Sequence, residues 1–421
     1  MKVKIKHLSY DAVMALPHPK HKRPKRPSIL FRTLLKLVSL PDLIATRFHS
    51  EWVGDRRPKR REVCLYLMNH SSFIDLEIAA SVLYPRPFNI VSTWDAFLGK
   101  SWLMRNLGCI PTSKFAYDVG LVRDIFYAVR EKKCSVLMYP EAGYSLDGTA
   151  TVLPDNLAAF VKKLGASLVM IRTEGAFLRD PLYNNLQKRP VRVSARMEYL
   201  YSAEELTQKS EEEIADRIRE CFTLDAFREQ REANIKVDAP FRADYLNRVL
   251  YKCPHCLKEG EMKGKGVHLS CGACGAIYTL DEYGELHAEN RNTAFPFVSE
   301  WFAWQRACVR EELKAGTYAL DVPVEIAMQV DTEALYFVGE GRLRHDAEGF
   351  TLTGCDGKLS FHQKASNMYS VNADYNFYEI GDMVSFGNTK VIYYCFPKAK
   401  GDFVAKTRLA VEESFRMRNG K

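Results

Sequence analysis

The sequence predicts an α/β protein: a mainly parallel sheet flanked by helices, extended by a small cysteine-bearing module and a β-rich domain closed by a helix. Three observations carry this prediction. Between Glu62 and about Tyr201 short β-rich runs alternate with stretches of helical spacing, the pattern of parallel strands joined by helical crossovers. Two CxxC pairs follow within residues 253–274. From Val322 to Tyr394 alternating segments are separated by Gly, Asp and Asn turns, the habit of antiparallel strands. The 421 residues suffice for several domains, and boundaries are expected at 1–60, 61–235, 236–290 and 291–421. An apolar content of 47% against 27% charged residues excludes a disordered chain. No run approaches the ~20 apolar residues of a bilayer span.

The first 62 residues hold sixteen Lys/Arg against five Asp/Glu, a net +11, while the remainder carries −3. A basic excess confined to one end suits contact with an anionic surface. The stretch His18–Pro27 interleaves bases with prolines and is not expected to be helical. Ser28 can then cap a helix that Pro41 would stop. In that helix Arg32, Lys36 and Ser39 share one stripe, and Phe31, Leu34, Leu35 and Val38 the other. Two readings stand: a basic amphipathic helix lying in the interface of an anionic bilayer, or a core helix beside a solvated tail. No aromatic RNA-binding signature accompanies the bases, so nucleic acid is not expected as a partner. The N-terminus lacks an apolar core with a cleavage site, and the cysteine pattern suits a reducing compartment. The expected location is therefore the cytoplasm, peripheral on the cytoplasmic face of a membrane.

In the α/β segment, strands are expected at Val63–Met68, Phe88–Ser92, Ser135–Tyr139, Ser167–Arg172 and Val191–Glu198. Helices are expected at Phe73–Leu83, Tyr117–Glu131 and Leu157–Leu164, and the charged residues 203–235 brace the domain as further helices. After the first strand comes Asn69-His70-Ser71-Ser72-Phe73-Ile74-Asp75, a polar turn entering a helix, where open α/β sheets carry their sites. With His70 in the loop and Asp75 in the first helical turn, the carboxylate folds back on the imidazole and gives a base with an orienting acid. A structural reading competes, because Ser72-x-x-Asp75 has the spacing of a capping box. No G-x-S-x-G elbow supplies a nucleophile. A His–Asp pair of this kind suits activation of a hydroxyl that a substrate brings into a ternary complex.

Three blocks now stand in register: Asn69-His70-x4-Asp75, Leu107-Gly108-Cys109-Ile110-Pro111-Thr112-Ser113-Lys114, and Tyr139-Pro140-Glu141-Ala142-Gly143-Tyr144-Ser145. In order and spacing this resembles the glycerolipid acyltransferase family, whose best-known members are the lysophosphatidic acid acyltransferases. The resemblance covers about residues 60–200. It implies transfer of a fatty acyl group from a thioester, acyl-CoA or acyl carrier protein, to a hydroxyl of a lysophospholipid such as 1-acylglycerol-3-phosphate. No acyl-enzyme is implied. His70 would be the general base and Asp75 would fix its tautomer. Lys114, Glu141, Gly143, Tyr144, Ser145 and Arg172 would serve the substrate, with backbone amides near Glu141–Gly143 holding the oxyanion.

Two departures bear on the acceptor. The family's third block usually reads Glu-Gly-Thr-Arg-Ser, whereas here Ala142-Gly143 replace Gly-Thr and Tyr144 takes the Arg position. The second block ends in Lys114 where the family has arginine. Both arginines are associated with the acceptor's phosphate, which a guanidinium grips as a planar fork; lysine is a point charge and tyrosine offers only a hydroxyl. Arg172, after the strand at Ser167–Ile171, is a candidate substitute cation. Glu141 and Ser145 also admit a bland reading, as a surface turn.

Cys253-Pro-His-Cys256, fourteen residues, then Cys271-Gly-Ala-Cys274-Gly275 has the spacing of two metal knuckles and resembles a zinc ribbon. Four thiolates leave no open position, so the expected Zn2+ is structural. The charge around these knuckles is mixed, which favours a bracing or docking module over a nucleic-acid reader. A helix is expected at Val298–Ala315 and another at Ala405–Arg418. The strands between them suggest a small barrel or sandwich of the pleckstrin-homology kind. The leading expectation is a peripheral membrane O-acyltransferase. Its rival is a non-catalytic lipid- or protein-binding adaptor built on an acyltransferase shell.

Overall fold

A computed structural model describes residues 3–115, 118–399 and 401–420. The chain opens with β1 (Ile5–His7), α1 (Tyr10–Met14), α2 (Ile29–Ala45) and β2 (His49–Val53). Then come β3 (Cys64–Met68), α3 (Ile74–Leu83), β4 (Phe88–Thr93), α4 (Ser101–Asn106) and β5 (Cys109–Thr112). Helix α5 (Val119–Phe126) runs into a π-helical turn at Tyr127–Glu131; the expected helix start at Tyr117 lies outside the described residues. The α/β part continues through β6 (Ser135–Met138), α6 (Leu157–Leu164), β7 (Ser167–Glu174), α7 (Ala176–Arg179) and β8 (Ser194–Tyr201).

These strands form one seven-stranded sheet in the order β2-β8-β7-β3-β6-β4-β5. Strands β3 to β7 run parallel, and β8 reverses against β7, so the sheet is mixed rather than purely parallel. The central strand β3 is buried along its whole length, as a strand covered on both faces must be. Its side chains alternate between two cores. Leu65 and Leu67 enter a core with Ile125, Val161, Ile214 and Ile218. Tyr66 and Met68 enter the other, with Leu43, Ile74, Ile78 and Phe97.

Three helices follow: α8 (Ala203–Gln208), α9 (Glu211–Phe222) and α10 (Ala226–Glu232). Ser202 and Ser210 close capping boxes on α8 and α9 with Glu205 and Glu213. The cysteine module is a four-stranded antiparallel sheet of β9 (Met262–Lys265), β10 (His268–Cys271), β11 (Ile277–Leu280) and β12 (Leu286–Ala288). Helix α11 (Val298–Lys314) follows. The last sheet comprises β13 (Leu320–Gln329), β14 (Leu335–Asp346), β15 (Gly349–Gly354), β16 (Leu359–Lys364), β17 (Asn372–Phe377), β18 (Gly381–Gly387) and β19 (Ile392–Pro397). Its order is β16-β15-β14-β13-β19-β18-β17, and no pairing among the described residues joins the end strands into a barrel. Helix α12 (Phe403–Arg418) closes the chain.

The N-terminal segment departs from the expected free arm and helix. Strand β1 joins the last sheet beside β14 and β2 joins the α/β sheet beside β8, both in parallel register. The basic stretch is irregular, as expected, but it is strapped to the α/β domain. Arg105 donates to the carbonyls of Lys22 and Arg23, Asn89 donates to that of Lys25, and Pro24 is buried. Ser28 caps α2 as expected, yet Pro41 does not stop it. The ring of Pro41 lies on the exposed side, where water can satisfy the carbonyl that its missing N–H leaves free.

The stripes of α2 are also inverted relative to a soluble helix. Arg32 reaches the carbonyl of Pro85, Lys36 covers the ring of Tyr84, and Asp42 meets Arg179. The exposed positions are Ile29, Leu30, Leu34, Leu37, Val38, Pro41, Ile44 and Ala45, all apolar. No helix of the described residues is long and apolar enough to cross a membrane.

Candidate active site

The parallel strands β3, β5 and β6 end on one edge of the sheet, and each of the three sequence blocks emerges there. The block after β3 turns sharply because Asn69 ties it down. The Asn69 side chain exchanges hydrogen bonds with Thr173 at the end of β7, accepting from its N–H at 2.7 Å and donating to its Oγ1 at 3.0 Å. His70 is thereby held in the loop. Asp75 lies in the first turn of α3 and folds back, with Oδ2 3.0 Å from His70 Nδ1. The same oxygen accepts the N–H groups of Ser71 at 2.8 Å and Ser72 at 3.0 Å. The full capping box does not form, since α3 follows Phe73 without a side-chain cap and the Ser72 hydroxyl turns to Asp180; Asp75 ties the loop backbone and the imidazole with one oxygen. An Asp75 carboxylate with these donors accepts a hydrogen bond from Nδ1–H of His70, which fixes the tautomer and leaves Nε2 with the free lone pair.

The imidazole lies between two tyrosines. Its ring centroid is 4.1 Å from that of Tyr139 and 4.2 Å from that of Tyr144. Its side chain keeps 21% exposure while Asp75 keeps 1%. Burial beneath these rings lowers the His70 pKa from its ordinary value, against the raising pull of Asp75. A histidine held neutral is ready to take a proton at physiological pH.

The third block meets the first through Glu141. This carboxylate is buried, not part of a surface turn: Oε2 accepts the His70 N–H at 2.8 Å and Oε1 the Thr151 N–H at 2.9 Å. Burial pushes it up to about 7, with those two hydrogen bonds holding it down. Ser145 is likewise internal. Its N–H donates to the His70 carbonyl at 3.1 Å, and its hydroxyl donates to the Thr149 carbonyl at 2.7 Å and accepts the Gly148 N–H at 2.9 Å. Both residues brace the loop through these bonds. Ala142 sits at φ 54°, left-handed backbone that favours glycine, at the position where the resembling family carries one. The N–H groups of Gly143 and Tyr144 are engaged by no described residue.

Lys114 reaches the last sheet, its Nζ 3.0 Å from Asn372 Oδ1. Arg172 does not join the site. Its guanidinium is spent on Glu229 and on the Thr223 carbonyl, bracing β7 against the helices that follow. Four residues that sequence reading did not single out bear on the site. Tyr139 forms one wall of the imidazole slot, Asn372 takes Lys114, Arg408 of α12 donates to the Tyr144 carbonyl at 2.9 Å, and Asp180 accepts the Ser72 hydroxyl at 2.5 Å. Tyr139 stood inside the third block and was legible. The other three depend on tertiary packing.

The four cysteines of the two CxxC pairs converge. Sγ atoms of Cys253, Cys256, Cys271 and Cys274 lie within 4.8 Å of one another, with Cys253–Cys274 and Cys256–Cys271 at 3.7 Å. A tetrahedron with metal–sulfur bonds of about 2.3 Å has edges of about 3.8 Å, so these two separations are compatible with a zinc site. His255 stacks on Tyr278 and His268 meets Thr279 and Glu289, so neither competes as a ligand. The other seven cysteines are scattered and none pairs.

Comparison with known proteins agrees with the blocks. The acyltransferase family model matches residues 50–173. Among solved structures, the 1-acyl-sn-glycerophosphate (LPA) acyltransferase PlsC from Thermotoga maritima is similar at 15% identity and a TM-score of 0.36, over 45% of this chain and 76% of that one. No curated protein matches the chain. Residues 50–173 thus match an acyltransferase domain, and all three motif blocks lie within them.

Proposed function

We propose that the protein is an O-acyltransferase that moves a fatty acyl group from acyl-CoA or acyl carrier protein to the hydroxyl of a lysophospholipid such as 1-acylglycerol-3-phosphate. The observation that carries this reading is the His70 Nδ1–Asp75 Oδ2 contact of 3.0 Å in a neutral, ring-lined slot. His70 Nε2 takes the proton of the acceptor hydroxyl as its oxygen attacks the thioester carbonyl. Asp75 stabilises the imidazolium so formed. The free N–H groups of Gly143 and Tyr144 are the candidate oxyanion donors. The carbonyl re-forms as the thiolate leaves, and the proton passes from His70 to sulfur.

The outward apolar face of α2, with Trp102 exposed beside Phe31 at its start, supports attachment to the cytoplasmic surface of a membrane. The basic segment beside it suits anionic headgroups. The ribbon's four converging thiols support a structural zinc ion. An adaptor on the same shell is favoured by a single feature, Tyr144 in place of arginine.

The test offers purified protein a long-chain acyl-CoA and a panel of lysophospholipids and neutral lipid alcohols, with products read by mass. An acylated acceptor formed by wild type and not by His70→Ala supports the enzyme; no product with either thioester donor supports the adaptor. Leu37→Asp with Val38→Asp should release the protein from anionic liposomes, and unchanged sedimentation would move the contact elsewhere.

A further inference from the structure

The third block lacks an arginine in sequence, but a guanidinium stands beside it in space. Arg408, on α12, reaches across from the C-terminal part of the chain and donates from Nη1 to the carbonyl of Tyr144, the residue at the vacant arginine position. A Cβ built on Gly143 would lie 4.0 Å from that Nη1 and 4.0 Å from Phe115 Cζ, so the guanidinium and the residue after Lys114 flank the same glycine. The Arg408 side chain is 4% exposed. Its Nε is held at 3.0 Å by Glu412, which Arg306 also pairs, so its orientation is fixed from behind. Its Nη2 is buried and has no hydrogen-bond partner. A buried guanidinium nitrogen is seldom left so, because its N–H groups have been taken from water without replacement.

We propose that Arg408 supplies in three dimensions the guanidinium that the third block lacks, its free Nη2 binding a phosphate-ester oxygen of the substrate, with Lys114 as the second cation. The proposal deepens the acyl-transfer reading and rests on it. It also gives the C-terminal helix a part in the site: a residue 264 positions beyond Tyr144 decides which substrates fit. A planar fork beside a point charge favours phosphorylated over neutral molecules. The phosphate belongs either to the acceptor or to coenzyme A, and binding separates the two.

Calorimetry on the full chain measures glycerol 3-phosphate, glycerol and CoA against wild type, Arg408→Lys and Arg408→Gln. Wild type is expected to bind glycerol 3-phosphate and not glycerol. Arg408→Gln should weaken that binding at least ~10-fold, as loss of a charge-assisted hydrogen bond does, and Arg408→Lys, which keeps the charge beside Glu412 and guards against a folding artefact, by less. Loss confined to CoA supports the same subsite with the donor as its source. Glycerol binding as well as its phosphate, or affinities that both substitutions leave unchanged, would overturn the proposal. In turnover, Arg408→Gln should cost the phosphorylated acceptor at least ~10-fold more kcat/KM than a neutral one, and an equal loss on both would contradict it. Phosphate binding without any acyl transfer would reject the enzyme reading and leave the subsite standing; transfer blind to phosphate would reject the subsite alone.

Discussion

Two His–Asp pairs in this chain have the same separation and different surroundings. His70 and Asp75 meet at 3.0 Å in the α/β site, and His21 and Asp124 meet at 3.0 Å where the basic segment lies on α5. His21 is 57% exposed, and both oxygens of Asp124 face its Nε2. Asp75 is instead held by two backbone N–H groups, and the ring it orients is packed between tyrosines. Distance alone does not make a base. A carboxylate fixed by the backbone and an imidazole packed between rings distinguish the catalytic candidate from a strap.

The largest expected effect breaks the comparison at its centre. His70→Ala should lower acyl transfer ~10²–10⁴-fold or more, the range for loss of a general base, while His21→Ala stays within about twofold. Initial rates with a saturating donor check this, and equal losses would erase the distinction between the pairs. Asp75→Asn comes next. It keeps the shape but loses the charge that holds the imidazole tautomer, and a loss of ~10²–10⁴-fold is expected with near-normal KM. Turnover close to wild type would leave Asp75 as a tie for the Ser71–Ser72 backbone alone.

A pH profile sharpens the comparison further. The base acts unprotonated, and burial lowers the His70 pKa. The acid limb of kcat/KM should therefore fall below the ordinary histidine value of about 6.5, with activity kept as pH drops through that value and lost only beneath it. A limb above 6.5 would mean that water or a second carboxylate reaches the ring. The smallest effect concerns the loop that carries Tyr144. Ala142→Gly relieves a left-handed backbone at φ 54° and should raise stability by up to about 1 kcal/mol, read as a small rise in Tm.

How much of this was legible in the sequence follows the range of the interactions. The strand–turn–helix around His70, the Ser28 cap and the cysteine knuckles are local, and each is found where spacing places it. The α2 helix was legible as amphipathic but not in its orientation, because which stripe faces inward depends on Pro85, Tyr84 and Arg179 waiting for its polar side. Strands β17 and β18 carry Asn, Asp and Gly, residues that favour turns, and the bulged pairing between them makes them strands. Strand β2 lies within the basic first 62 residues, where the sequence pattern places no strand. Arg408 and Asn372 reach the site across hundreds of residues, and no periodicity encodes that approach.

The most direct test of the central claim is thiol release from a long-chain acyl-CoA in a single turnover, with and without a lysophospholipid acceptor. The account predicts release only when the acceptor is present, no acyl-enzyme by intact mass, and no release from His70→Ala under either condition. A burst of thiol without acceptor, leaving an acyl group on the protein, would contradict it.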